Sequence, residues 1–307
     1  MTTVYFDPPF TDEERRQRLY DGQLIVLSPR KSSLAFSQFA KELAKEAFAP
    51  LDPETAQFHL PVEQYADILQ KLKPKFIHHP ESKKYLSAIL GECGCDLSKT
   101  YYEVPKLRSS TSDEYLTKGI AYAWHPHRDT WFAALPCQIN WWVPVYELKS
   151  DNAMSFYPQY WGTPVKNSSK GYNYYKWNQQ HRGGHVSQYI KDDPRPVPKA
   201  TEPLKLEPEI RLLPPVGGII LFSAAHLHAS VPNTSGVTRF SFDYRTIHLD
   251  DVAAKRGAPN IDSECEGHML RDYIRATDHS HVPNEYFALY DDGTEADGKL
   301  EYEPVRA

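Results

Sequence analysis

No stretch of the 307 residues approaches the ~20 consecutive apolar positions that a bilayer-spanning helix needs. Cysteine is scarce: there are four, with Cys93 and Cys95 forming a Cys-x-Cys while Cys137 and Cys265 stand alone. Neither two Cys-x-x-Cys units nor a Cys/His set at zinc spacing is present. Cys93 and Cys95 therefore read as reduced thiols in a turn beside Gly91 and Gly94, and a disulfide scaffold is excluded. Positive charge is in deficit, with a net charge of −5 and a pI of about 6.2, so the electrostatic footprint of a nucleic-acid binder is missing. The first nine residues carry neither a basic leader nor an apolar stretch, so a cleaved secretion signal is not expected. The expectation is a soluble, cytoplasmic protein whose partner is a small molecule, not nucleic acid or a membrane. Nothing in the sequence sets the oligomeric state.

What is present is a core-forming composition, with 40% hydrophobic, 24% charged and 13% aromatic residues, ordinary for a globular chain. The first hundred residues have helical periodicity. Thr11 and Glu14 make a capping box for a helix through Leu19, and residues 22–28 read as a short strand. Phe36, Phe39, Ala40, Leu43 and Ala47 fall on one face of a helix from Ser33 to Phe48. Val62 to Leu72 makes another, and Tyr85 to Leu90 a third, stopped by Gly91. After residue 100 the pattern becomes short runs rich in Tyr, Val, Ile, Phe and Trp: Tyr101–Leu107, Gly119–Trp124, Gln138–Tyr146, Ala153–Tyr157, Ile210–Leu213, Gly218–Phe222 and Arg239–Ile247. Many short strands with turn signals point to a sandwich or barrel. The absence of a βαβ pattern argues against a Rossmann-type fold. One domain over 1–307 is expected: helical support (1–99), a β core (100–158 and 210–248), a polar aromatic insertion (159–209) and a polar, weakly helical tail (249–307).

Two His-x-Asp triplets occur, His127-Arg128-Asp129 and His248-Leu249-Asp250. The second follows the last β-run and reads as a solvated strand end. In the first, residues two apart on an extended backbone share a face, and a third ligand is available in Ala225–Asn233, after a Gly-Gly turn and the apolar strand Ile219–Phe222. Two histidines and a carboxylate on one side of a metal make the facial triad suited to non-haem Fe(II), with positions left open. Both His226 and His228 are candidates for the third ligand, since parity does not separate two residues on one face.

In order along the chain, His127-Arg128-Asp129, Asp151–Pro158, Pro215–Phe222, His228-Ala229-Ser230-Val231-Pro232-Asn233 and Arg239-Phe240-Ser241 resemble the Fe(II)- and 2-oxoglutarate-dependent oxygenases, in particular their phytanoyl-CoA dioxygenase-like branch. The resemblance covers roughly residues 100–248. It implies a double-stranded β-helix of jelly-roll, cupin-like form, with N-terminal helices packed on it and a long inter-strand insertion: an α+β fold with a mainly β core. It also registers the distal ligand on His228, places Asn233 at the following turn, and puts Arg239 at the branch's usual spacing of eleven residues beyond His228 (239 − 228).

The implied cofactors are Fe(II), 2-oxoglutarate as co-substrate, and O2. His127, Asp129 and His228 would hold the metal. Arg239 would pair with the far carboxylate of the co-substrate, for which a planar guanidinium gives a bidentate match, and Ser241, two residues on, would add a hydroxyl. Asn140 aligns with a co-substrate-contacting position and shares a strand face with Gln138, although polar residues on such strands often only satisfy neighbouring groups. Because Asp129 is present, hydroxylation or another oxidation of an unactivated C–H is expected rather than halogenation, with succinate and CO2 released. Trp131 and Phe132 are candidates for the pocket lining, and Tyr175, Trp177 and Arg182 for a lid; aromatics of the insertion equally suit a small core of its own. The competing functions are a cupin-like metalloenzyme without 2-oxoglutarate and a non-enzymatic β-sandwich ligand-binding module.

Overall fold

The structure is a computed structural model that describes residues 2–121, 124–181, 195 and 197–290. It is a mixed α/β molecule built on two β-sheets. In chain order the elements are β1 (Val4–Phe6), α1 (Asp12–Tyr20), β2 (Leu24–Leu27), α2 (Lys31–Phe48), α3 (Val62–His78), α4 (Pro80–Glu92), β3 (Thr100–Tyr102), β4 (Lys106–Ser110), β5 (Ile139–Pro144), β6 (Met154–Phe156), α5 (Tyr174–His181), β7 (Ile210–Leu212), β8 (Ile219–Ser223), β9 (His228–Ser230), β10 (Arg239–His248), α6 (Leu249–Ala253) and β11 (Ile274–Arg275). The larger sheet has eight strands in the order β1-β2-β8-β5-β10-β3-β11, with β4 also paired to β10; the smaller is β7-β6-β9.

Strand periodicity explains the layering. Along β10, Phe240, Phe242 and Tyr244 point one way, with Trp141 and Leu221, into the core that α2–α4 close. Phe36 of α2 stacks 4.4 Å from Phe242 and 4.9 Å from Phe76 of α3. Truncating a buried phenylalanine of this kind costs about 3–5 kcal/mol. The alternate residues face the smaller sheet. Trp142, Ile220 and Phe222 pack there against Met154, Phe156 and Leu212, while Asn140 lies opposite Arg245, and Ser241 opposite both Pro144 and Arg108.

The N-terminal helices largely follow their sequence signals. Thr11 and Glu14 cap α1 reciprocally, with Glu14 N–H donating to Thr11 Oγ1 at 3.3 Å. Four elements differ from expectation. α3 continues through Pro74 to His78, and α4 begins at Pro80 and passes Gly91 to end at Glu92. The run Tyr101–Leu107 is divided into β3 and β4 around Pro105, which has no N–H to give a ladder. The expected strand Gly119–Trp124 is not formed: residues 119–121 make a turn, and 122–123 lie outside the described residues. The tail is also more structured than its polarity suggests, because β11 pairs with β3 and Leu270, Tyr273 and Ile274 are buried. At Gly217, φ is +76° and a Cβ would come within 2.9 Å of Leu34, so the turn that launches β8 against α2 requires glycine.

Candidate metal centre

His127 and His228 are brought together by the backbone itself. They form an isolated antiparallel bridge, with both N–H···O distances 3.0 Å, and their ring centroids are 4.4 Å apart. Asp129 does not continue the extended segment; it opens a 3-10 turn, Asp129–Phe132, which swings its carboxylate back toward the two imidazoles. Asp129 Oδ1 lies 3.3 Å from His127 Nε2 and 3.9 Å from His228 Nε2. One ligand atom from each of the three buried residues falls within 4.8 Å of the others, the one such group of three or more among the described residues.

Each partner atom is oriented by a neighbour. His127 Nδ1 sits 2.8 Å from the carbonyl of His125, and His228 Nδ1 sits 2.9 Å from that of His226. A carbonyl only accepts, so both Nδ1 atoms carry the proton and both Nε2 lone pairs face Asp129, the tautomer that metal ligation needs. Burial, with His127 beside it, pushes His228 down to about 3, which keeps its imidazole neutral. On Asp129, Oδ2 accepts from Asn140 Nδ2 at 2.9 Å and Gln138 Nε2 at 3.3 Å, with Arg245 Nε at 3.6 Å. Burial alone would raise this carboxyl, but the charge of Arg245 beside it helps to hold it well below the usual carboxylate range. Oδ1 is thereby left to face the histidines.

Asn140 and Gln138 thus hold the carboxylate from behind. Gln138 also donates to Asn140 Oδ1 at 2.9 Å and accepts from Tyr273 at 2.9 Å, tying the centre to the tail. His226 is buried in the turn before β9, 5.3 Å from Trp161 and 5.6 Å from Phe156. Its side chain is absent from the three-residue group because the turn breaks the two-residue period on which the parity comparison with His228 rested; its carbonyl orients His228 instead. The second triplet also separates, with His248 buried and Asp250 in an exposed pair with Lys99 at 2.8 Å.

Arg239 reaches across from the start of β10 to the smaller sheet. It donates to the carbonyl of Asn152 at 2.9 Å and to Ser230 Oγ at 3.2 Å, and its guanidinium lies over Trp142. Burial pushes it down to about 10. No carboxylate among the described residues forms an ion pair with it, and its Nε and the hydroxyl of Ser241 are buried without partners. Ser230 is two residues beyond His228 on the same face of β9, ~7 Å along a strand. A short dicarboxylate chelating at the triad can therefore present its second carboxylate to Arg239.

Around the triad, Phe132 meets His127 edge-on at 5.6 Å and Tyr172 at 5.7 Å, and Trp124 lies 5.6 Å from His127. Trp131 is fully buried with Tyr157, Val165, Leu227 and Ala229, its indole donating to Asp262 at 2.8 Å; it packs the insertion onto the core. Tyr175 packs against Gly267 and His268, and Trp177 is half-buried near Tyr172. Arg182 lies outside the described residues.

The residues that sequence reasoning missed are Arg245, Glu103, Arg128 as a side chain, and Asp262. Arg128 is almost wholly buried. Its Nε bonds Asp262 at 2.9 Å, one amino group bonds the carbonyl of Ala225, and the other bonds those of Tyr160 and Thr163 at 2.6 and 3.1 Å. It joins the His-x-Asp segment to the His228 loop, the insertion and the tail. The alternation Arg239, Ser241, Asp243, Arg245 on β10 was the available signal for Arg245.

No protein-family model matches the chain, and no curated protein matches it at a significant level. Solved structures do. The non-heme alpha ketoglutarate dependent epimerase SnoN from nogalamycin biosynthesis is 13% identical, with 84% of this chain and 97% of SnoN covered and a TM-score of 0.38. EvdO2 from Micromonospora carbonacea var. aurantiaca, also solved with 2-oxoglutarate, is 10% identical over 78% of this chain and 92% of its own, with TM-scores of 0.44 and 0.43. The carbocyclase SnoK is 12% identical over 87% and 98%, with a TM-score of 0.38. SnoN has been solved with Fe3+ and alpha ketoglutarate. These superpositions are loose, and the chemistry of the centre rests on its own residues.

Proposed function

We propose that this chain is a non-haem Fe(II)- and 2-oxoglutarate-dependent oxygenase that hydroxylates or otherwise oxidises an unactivated C–H bond of a small metabolite. The observation that carries this is the buried His127, Asp129 and His228 group with both Nε2 lone pairs and one carboxylate oxygen converging, together with an Arg239 that has no carboxylate partner one strand step away. The donor set fits a divalent iron held on one side, and the unpartnered Nε of Arg239 and hydroxyl of Ser241 fit the remote carboxylate of a 2-oxo diacid. When bound, iron and the 2-oxo acid supply the activation of O2, coupled to formation of succinate and CO2.

The protein's own part is positional. The carbonyls of His125 and His226 hold the two imidazoles in the ligating tautomer. Asn140 and Gln138 fix Asp129 so that a single oxygen points inward. Arg239 sets the co-substrate's orientation by charge and by its fork of donors. Asp129 fills the position that a halide needs, which favours hydroxylation over halogenation. The motif order resembles that of the phytanoyl-CoA dioxygenase-like branch, and on this reading the two sheets are the halves of a jelly-roll. Supplied with Fe(II), O2 and 2-oxoglutarate, the protein should form succinate and CO2 in stoichiometric amounts, and His228→Ala should form none. Iron binding without any 2-oxoglutarate consumption favours the cupin-like alternative, and ligand binding that survives a chelator favours the sandwich module.

A further inference from the structure

Solvent access to the centre rises along one line of residues. The side chain of His228 is 6% exposed and that of Asp129 11%; Arg245 is at 15%, Lys106 at 23% and Arg108 at 32%. Arg245 lies on β10 and Lys106 and Arg108 on the neighbouring β4 of the larger sheet, while His228 lies on β9 of the smaller sheet and Asp129 in a 3-10 turn. The same residues form a chain of contacts: Asp129 to Arg245 at 3.6 Å, Arg245 to Asp243 at 3.7 Å, and Asp243 to Arg108 at 2.6 Å. Arg245 also pairs with Glu103, which Lys106 approaches at 3.4 Å. This line runs from the metal-ligand candidates to partly exposed side chains.

Its charge does not cancel. Arg108, Lys106, Arg245 and Arg239 face Asp243, Glu103 and Asp129, a surplus of one positive charge. On the proposed reading, on which this inference rests, a divalent metal and a doubly charged 2-oxo diacid offset one another, so the filled centre keeps that surplus. Burial, with Arg108 nearby, pushes Lys73 down to about 7, so it adds little to that surplus. The surplus sits against an overall charge of −5, so it is a local feature and not a property of the whole surface. Its most exposed member is Arg108, at 32%, whose guanidinium uses Nε and one amino group on Asp243 and leaves the other amino group outside that pair.

We propose that the substrate is an anionic small molecule whose carboxylate or phosphate is held by Arg108 and Lys106 while its apolar part lies toward Phe132. The remaining amino group of Arg108 donates to the anion, Lys106 adds a point charge, and Asp243 and Glu103 fix the two cations in place. A neutral substrate of the same shape would leave the surplus charge unmatched.

Ligand-observed fluorine NMR tests this with 4-fluorobenzoate, 4-fluorophenyl phosphate and 4-fluorobenzamide on anaerobic full-length protein carrying Fe(II) and 2-oxoglutarate, loading being verified by the visible charge-transfer band. The expected result is binding of at least one anion about tenfold tighter than the amide, the factor a single charge-assisted hydrogen bond supplies, with the band retained. Which anion wins distinguishes carboxylate from phosphate recognition. Arg108→Gln, and separately Lys106→Gln, should each remove most of that preference without loss of the band. Equal binding of anions and amide, or a preference that both variants keep, overturns the inference while leaving the 2-oxoglutarate reading intact. Failure of wild type to form the band overturns both.

Discussion

Arg128 and Arg239 are both buried guanidiniums within a residue or two of metal-ligand candidates or their strands, yet they are satisfied in opposite ways. Arg128 is saturated: a carboxylate and three carbonyls from different segments take up its donors. Among the described residues Arg239 has carbonyls and a hydroxyl but no carboxylate as partners, and its Nε is left over. A buried charge without a counter-ion costs stability, so a fold keeps one where something else supplies the opposite charge. On the proposed reading Arg128 is an architectural residue and Arg239 a binding residue.

Removing each side chain separates the two roles. Arg128→Ala leaves Asp262 buried and unpaired, which should cost about 3–5 kcal/mol and lower Tm by on the order of 10 °C, read by thermal unfolding. Arg239→Ala should leave Tm unchanged or slightly raised while weakening 2-oxoglutarate binding by about 150- to 4,000-fold, measured by anaerobic titration. Equal losses of stability in the two variants would erase the distinction. Arg239→Lys keeps the charge but not the fork of donors, so its affinity should fall between wild type and Arg239→Ala.

A smaller effect sharpens the metal side of the comparison. Asn140→Ala removes the 2.9 Å donor behind Asp129 and should weaken iron binding by about 10- to 100-fold, followed by competition with a chromophoric chelator. Weaker still is a pH effect at Asp243. Burial raises this carboxyl, but Arg108 and Arg245 lower it further, so its pKa in the fold lies below the ordinary value. A carboxyl depressed on folding contributes stability that is complete above its unfolded pKa of ~3.9 and is lost as pH falls through the folded value. Urea midpoints taken from pH 6 downward should therefore fall in acid, and fall less steeply in Arg108→Gln.

The triad was legible in the sequence because its signals are local. His127 and Asp129 are two residues apart, and His228 follows an apolar strand in a recognisable segment. Arg239 was singled out by its spacing to His228, and the structure places it buried beside Ser230. The choice between His226 and His228 was not settled by strand parity, since the turn at 223–226 interrupts the period, and it was the backbone bridge from His127 to His228 that brought the latter in. Arg245, Glu103 and Asp262 stayed hidden because their roles depend on partners more than a hundred residues away in the chain. Trp131 illustrates the same limit: its position after the motif suggested a pocket wall, but its indole is buried where the insertion meets the core, among Tyr157, Val165, Leu227 and Ala229. The short strands β1 and β11 carry too few residues for a periodic signal, and β11 is held by its pairing with β3.

The central claim is that the triad and Arg239 together hold iron and a 2-oxo diacid. Its most direct test is an anaerobic titration of the Fe(II)-loaded protein with 2-oxoglutarate, following the visible metal-to-ligand charge-transfer band in wild type, His228→Ala and Arg239→Ala. The account requires a saturable band in wild type, none in His228→Ala, and a band in Arg239→Ala that appears only at far higher 2-oxoglutarate concentration. Iron bound in wild type with no band at any concentration would contradict it.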